Sequence, residues 1–169
     1  VSFDSRNNSA EFAEITANVF AANGIKVYLF DSLRPVPELS YTIRHLKCQS
    51  GVMVTASHNP KEYNGYKAYW DDGAQVLAPH DHGIIEEVNK VSIDDVKFTP
   101  NTDLIEIIGG EMDVDYLMAV KEAMVDQDVI NRQKDLNIVY SPLHGTGRVI
   151  IPAALRTWGF QNIHVVAEQ

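Results

Sequence analysis

Ser57, His58 and Lys67 are the residues whose types and spacing offer the most chemistry. They lie in GVMVTASHNPKEYNGYK, residues 51–67, where an apolar run ends on Ser57-His58-Asn59-Pro60 and a new strand starts at Gly65 with Lys67 facing back. A serine at a strand end can attack an acyl group or carry a phosphoryl group. The first role needs a base within reach. Adjacent residues leaving a strand point to opposite faces, so His58 is badly placed to take the Ser57 proton, and there is no G-x-S-x-G elbow. The second role needs cations and fixed dipoles around the transferred group, plus an acid/base for the substrate hydroxyl. Asn59 before Pro60 has the form of a helix cap with proline at the first helical position, so a short turn at 60–63 would point free N–H groups at an anion beside the serine. A plain turn closed by Asn-Pro has the same sequence. Lys67, on the neighbouring strand, can return to the edge that carries Ser57, although a solvated lysine reads alike.

The surrounding elements decide whether these residues meet. Val1-Ser2-Phe3 reads as the tail of a strand. Asn8 with Glu11 forms a capping-box-like start to a helix whose stripe is Phe12, Ile15, Val19 and Phe20, ending at Asn23-Gly24. KVYLF (26–30) is the next strand, Pro37 opens a helix with Leu39, Ile43 and Leu46 on one face, and GVMVTA is the third strand. Strands separated by helices pair in parallel through right-handed crossovers, so they end on one edge of the sheet, and open parallel sheets bind ligands along that edge. GYKAYW (65–70), the turn Asp71-Asp72-Gly73 and AQVL give a further strand and a short return, closed by a helix near 81–91. The segment from Val91 to Asp113 lacks a helical stripe, contains Pro100 and Gly109-Gly110, and reads as a linker. Beyond it Asp113 can cap a helix carrying Tyr116, Leu117, Val120 and Met124, followed by strand LNIVY, a glycine turn, helix VIIPAALRTWG and strand IHVVAE. The expectation is a three-layer α/β/α unit with a mixed, mostly parallel sheet over residues 1–110, and the incomplete start of a second α/β unit over 111–169.

Composition excludes several classes. The chain of 169 residues carries a formal net charge of -9, and its 14 basic residues are scattered rather than gathered into a phosphate-tracking patch, which argues against nucleic acid. No run approaches the ~18 apolar residues of a membrane span, and the N-terminus resembles no signal peptide, so no membrane is expected and the location expected is cytoplasmic. The lone Cys48 fits a reducing compartment and reads as a core or near-surface thiol. Both ends read as strands cut short, as in a piece of something longer, and the strand at Val1 would leave an open sheet edge.

T-A-S-H-N-P followed by Asn64-Gly65-Tyr66-Lys67 resembles the active-serine signature of the α-D-phosphohexomutases, the phosphoglucomutases and phosphomannomutases. The resemblance takes in Asp4-Ser5-Arg6, the Asp-Asp-Gly turn with AQVL, SPLHGTG (141–147) and the final V-A-E-Q, and so covers nearly the whole chain. The wording YTIRHLKC and GYKAYWDDGAQVLAPHD looks most like the branch that also uses pentose phosphates. The resemblance implies a phosphoserine at Ser57 that exchanges its phosphoryl group with a sugar monophosphate through a hexose bisphosphate, with Lys67 as general acid/base and His58 beside the phosphate and sugar. It also implies Mg²⁺ bound through the Ser57 phosphate. Arg6 and Asn59 would support the loop, though Arg6 as a surface ion pair fits as well. His144 would pack beside the loop from the second unit, or belong to a merely structural turn. The family's acidic loop, D-G-D-x-D-R, does not occur and is expected past Gln169, so the isolated chain is expected not to turn over substrate.

Three other readings compete. Gly145-Thr146-Gly147 after a strand, with Glu168 ending the next one, has part of a dinucleotide-binding pattern, but Ile150 stands at its third glycine. Pro79-His80-Asp81-His82 could be a metal cluster, yet Asp81 is better used as a cap, and Asp71 and Asp72 as turn residues. A non-catalytic homologue would keep the serine loop and lack the downstream acidic loop.

Overall fold

The computed structural model describes residues 1–167. Its strands are β1 (Ser2–Phe3), β2 (Val27–Phe30), β3 (Ser50–Val54), β4 (Tyr66–Trp70), β5 (Ile105–Ile108), β6 (Asn137–Tyr140) and β7 (Asn162–Val165). The helices are α1 (Ser9–Ala22), α2 (Val36–His45), α3 (His80–Val88), α4 (Gly110–Glu122), α5 (Gln127–Arg132) and α6 (Gly147–Trp158). β1 pairs in parallel with β3, β3 with antiparallel β4, and β2 in parallel with β5. Val1 N donates to Tyr28 O at 2.6 Å and Phe30 N–H to Val1 O at 3.1 Å, which joins the two ladders in the order β5-β2-β1-β3-β4. The sheet is therefore mixed and mostly parallel, as the crossover argument expects. β1 lies inside it, however, so Val1 offers no open edge.

α1 covers one face and α2 the other. Val52 and Val54 pack with Ala13 towards α1, while Met53 packs with Leu39, Ile43 and Tyr69 towards α2, with Cys48 against that cluster. This alternation is the period-two signature of a strand buried on both faces. The expected stripe of α1 is on the wrong side. Ala13 and Ala17 are 0% exposed, whereas Phe12 and Ile15 are 43% and 44% exposed. Small residues every four positions let the helix lie close to the sheet, and of the expected stripe only Phe20 joins the core packing. Asn8 precedes the helix in the left-handed region, with no side-chain cap bond.

The expected linker is partly a strand. Residues 105–108 extend the sheet beside β2 in register from Val27↔Ile105 to Phe30↔Ile108, because β2 would otherwise have an unpaired side. α4 starts at Gly110, before Asp113, so Asp113 is no cap. Its carboxylate instead takes a bidentate pair from Arg34, Nε to Oδ1 at 2.6 Å and Nη2 to Oδ2 at 2.8 Å, across the seam between α2 and α4. β6, α6 and β7 form the expected parallel βαβ unit, with α6 stopped by Gly159 at φ 116° and packed on α4 through Leu117, Ile150 and Ala154. The short α5, capped by Asp126, has no counterpart in the sequence reading. Among the described residues no helix is long and apolar enough to cross a membrane.

Candidate active site at the serine loop

β3 runs out at Val54 and β4 begins at Tyr66, with Val54↔Tyr66 and Met53↔Lys67 as register partners. The antiparallel return thus brings Lys67, half-buried, to the edge from which the 55–65 loop leaves. Lys67 shares a sheet face with Met53, since directly opposed residues point the same way. The return depends on Gly65. A Cβ there would stand 2.8 Å from Thr55 O, and Thr55 N–H donates to Gly65 O at 3.0 Å. Asn64 pins the same corner, donating to Ser9 Oγ at 2.8 Å and accepting from Gly65 N–H at 2.9 Å.

Ser57 is exposed and sits at φ 60°, in the left-handed region that costs a non-glycine residue about 1 kcal/mol or more. Asn59 N–H closes a turn on Ala56 O at 3.2 Å, and Tyr63 N–H closes a second on Pro60 O at 3.0 Å. Both turns wrap one guanidinium. Arg6 Nη1 donates to Asn59 O and Pro60 O, each at 2.6 Å, and to Tyr63 O at 3.3 Å, while Nη2 donates to Ser57 O. Its Nε is paired with Asp4 Oδ2 at 3.0 Å, and the side chain is 8% exposed. Arg6 is therefore enclosed by the loop rather than paired at the surface. A trans peptide sets N–H opposite C=O, so carbonyls turned to Arg6 direct the amides of His58 and Lys61 to the other side of the loop. Among the described residues neither amide has a hydrogen-bond acceptor, which leaves both open to an anion.

The loop that leaves β6, residues 141–147, reaches this network. Ser5 Oγ donates to His144 O at 2.7 Å, so it is the backbone of His144 that touches the Asp4-Ser5-Arg6 segment. His58 and the His144 side chain are exposed. Asp4, Thr55 and Asn64 stand in the motif with no role that their sequence alone assigns. Their signal was present as polar residues flanking strand ends, but only the folded chain shows that they converge.

The other sequence candidates are accounted for locally. His80 packs edge-on against Trp70, Asp81 accepts from His82 N–H at 2.8 Å inside the first turn of α3, and Pro79, not Asp81, precedes that helix. Asp72 accepts from Ala74 N–H at 2.8 Å in the turn that Gly73 completes at φ 79°. Gly147 makes room for the Tyr140 phenol over the start of α6, a packing reason for that glycine, and Glu168 lies outside the described residues. Burial pushes the Cys48 thiol up, as for an inert core cysteine. An apolar cavity of about 420 Å³ opens at the opposite end of the strands, lined by Val1, Val27, Cys48 and Gly51, and is remote from Ser57.

Among the described residues no group of three or more His, Cys, Asp or Glu side chains is placed to hold a metal ion. Asp4, the buried carboxylate that grips the loop through Arg6 and Thr55, is occupied by Arg6, Ser9 and Thr55. For a cation at Ser57 the described residues thus assemble no carboxylate set around the serine oxygen.

Residues 1–94 match the model of the phosphoglucomutase/phosphomannomutase α/β/α domain I. Over 177 residues the chain is 37% identical to a phosphoglucomutase of Staphylococcus epidermidis, covering all of this chain and 31% of that protein. Over 180 residues it is 34% identical to the human phosphopentomutase, covering all of this chain and 29% of that protein. The chain thus spans about a third of the length of the curated relatives it matches. A crystal structure from Thermus thermophilus, of a protein assigned to the phosphomannomutases, superposes with a TM-score of 0.78 at 24% identity over 99% of this chain and 36% of that one, a likeness of fold.

Proposed function

The chain belongs to the phosphoglucomutase/phosphomannomutase family, and on that premise we propose that it bears the phosphoryl-carrying serine of a cytoplasmic sugar-phosphate mutase. The observation that carries this reading is Ser57 itself. It is an exposed hydroxyl held at a left-handed backbone position on the binding edge of a parallel sheet, with Lys67 brought back to that edge by β4.

In this reading a hydroxyl of the bound sugar monophosphate attacks the phosphorus on Ser57 in line. The P–O bond to Ser57 Oγ breaks as the bond to the sugar forms, and Lys67, as general base, takes the hydroxyl proton. The bisphosphate turns over in the site. Its other phosphoryl group returns to Ser57 while Lys67 gives the proton back to the departing sugar oxygen, so phosphate has moved between positions 1 and 6. The loop amides and His58 face the phosphoryl oxygens, while Asn59 and Arg6 keep the loop in shape. His144 supports it from the second unit. Mg²⁺ bound at the Ser57 phosphate would neutralise charge on the transferred group. A hexose phosphate is the substrate class proposed. The likeness to a phosphopentomutase supports a pentose phosphate as the second reading, and a phosphoglucosamine substrate belongs to the same chemistry.

The test is to incubate the full-length protein with Mg²⁺ and a hexose bisphosphate, digest with trypsin, and localise phosphate by fragmentation in the peptide from Cys48 to Lys61, which also holds Ser50 and Thr55. Phosphate on Ser57 that is lost on adding a hexose monophosphate is the expected result. A peptide left unmodified under both conditions would overturn the phosphoserine reading and favour a non-catalytic homologue.

A further inference from the structure

We propose that Asp4 is the positioning residue of the serine loop, holding both peptide groups of Ser57 through two arms, Thr55 and Arg6. The inference deepens the mutase reading and concerns how its serine is kept in place.

Asp4 is buried at the end of β1, and its carboxylate takes four donors. Oδ1 accepts from Ser9 Oγ at 2.7 Å and Arg6 N–H at 3.0 Å, and Oδ2 from Thr55 Oγ1 at 2.6 Å and Arg6 Nε at 3.0 Å. A hydroxyl has one proton to give. With that proton committed to Asp4, the Thr55 oxygen presents only lone pairs to its other neighbour, and Ser57 N–H donates to it at 3.0 Å. The second arm works on the other side of the same residue. Nε anchored on Asp4 fixes the plane of the guanidinium, and Nη2 then meets Ser57 O. One carboxylate thereby orients the acceptor for the Ser57 N–H and the donor for its C=O.

This grip matters because Ser57 occupies a backbone region that a serine leaves unless its surroundings hold it there. Ser9, whose hydroxyl also bonds Asp4, receives Asn64 from the far end of the loop, so both ends of the 55–65 segment are tied to the same carboxylate. Asp4 itself touches neither the Ser57 hydroxyl nor the space above it. Its effect is on where the hydroxyl stands, and an ångström of displacement at a reacting group costs on the order of 10²-fold in rate.

The experiment compares Thr55→Val, which keeps the shape and removes the hydroxyl, Thr55→Ser, which keeps the hydroxyl, and Asp4→Asn. All are made in the full-length protein and checked for a cooperative melt. Two readouts are taken: hydrogen exchange at the Ser57 amide, and kcat and KM with a hexose monophosphate. Thr55→Val is expected to raise Ser57 amide exchange at least about tenfold without affecting Val52 to Val54, and to lower kcat about 10²-fold with KM changed less than about threefold. Asp4→Asn should do the same, and Thr55→Ser should stay within about threefold of wild type on both readouts. Ser57 exchange and kcat unchanged in a folded Thr55→Val would overturn the proposal, as would Thr55→Ser behaving like Thr55→Val. If Asp4→Asn does not fold, Thr55→Val and Thr55→Ser still decide. A wild-type protein that never acquires phosphate on Ser57 sinks the mutase reading alone, since the exchange readout needs no turnover.

Discussion

Among the described residues the side chains of Arg6 and Arg34 are both largely enclosed, and they do opposite things with the same chemistry. Arg6 pairs with a carboxylate two residues away and spends the rest of its guanidinium on backbone carbonyls of a surface loop. Arg34 pairs with Asp113 on a distant helix, and its remaining donors go to Asp31, Ser32 and the Leu33 carbonyl. The first network is local, saturated and ends at a functional side chain. The second ties the segment before α2 to α4 and is under-satisfied. Glu38, 0% exposed, lies 3.9 Å from Arg34 Nε, and neither of its carboxyl oxygens has a hydrogen-bond partner. Burial, and then the neighbouring Asp113 carboxylate, push Glu38 up to about 8. A buried charge thus shapes a site where its partners are complete, and couples folding to pH where they are not.

The largest effect should come from breaking the seam. Asp113→Ala leaves Arg34 buried without its main counter-charge and should cost about 3–5 kcal/mol in urea unfolding. A loss below about 1 kcal/mol would mean that the seam is not a buried pair in solution. Next, Arg6→Lys keeps the charge and loses the fork. It should cost about 2 kcal/mol and speed proteolysis within 57–63, with little change elsewhere.

The seam should also respond to pH. Glu38 keeps its proton in the folded state up to about 8 but loses it near the ordinary carboxylate value when unfolded. Across that window the folded state holds the extra proton, so stability falls as pH rises, by at most about 1.4 kcal/mol per pH unit. Glu38→Gln should flatten the slope. An equal slope in the variant would assign the pH dependence to another group. The smallest effect is expected from Ser5→Ala, which removes the single hydrogen bond to His144 O, worth under about 1 kcal/mol on an exposed surface.

Much of this was legible in the sequence wherever a local pattern carried the information. The strand ending before Ser57, the return through Gly65, the Asp72 turn and the βαβ unit around Gly147 all follow from alternation and turn chemistry. The face of α1 did not, because a stripe sought among large apolar residues misses an interface built from Ala13, Ala17 and Ala21. Residues 105–108 lack a helical period and read as a linker, since only the open side of β2 makes them a strand. Asp113 looks like a cap because Asp often is one. Its partner lies 79 positions away, and no short-range signal reports it. Asp4 and Thr55 sat in plain view in the motif, but the convergence of four donors on one carboxylate is a property of the folded chain.

The pairing of β2 with β5 has a consequence for biosynthesis. The Asp4, Arg6, Thr55 and Asn64 network can close once residue 65 has left the ribosome, whereas the outer side of β2 has no partner until residues 105–108 emerge. At roughly 5–20 residues per second, a nascent chain holds that side open for seconds after the serine loop is set. During that interval an unpaired parallel edge is a template for association with neighbouring nascent chains. A chaperone that shields β2 during synthesis would therefore raise the yield of folded protein without ever touching the loop that carries the chemistry.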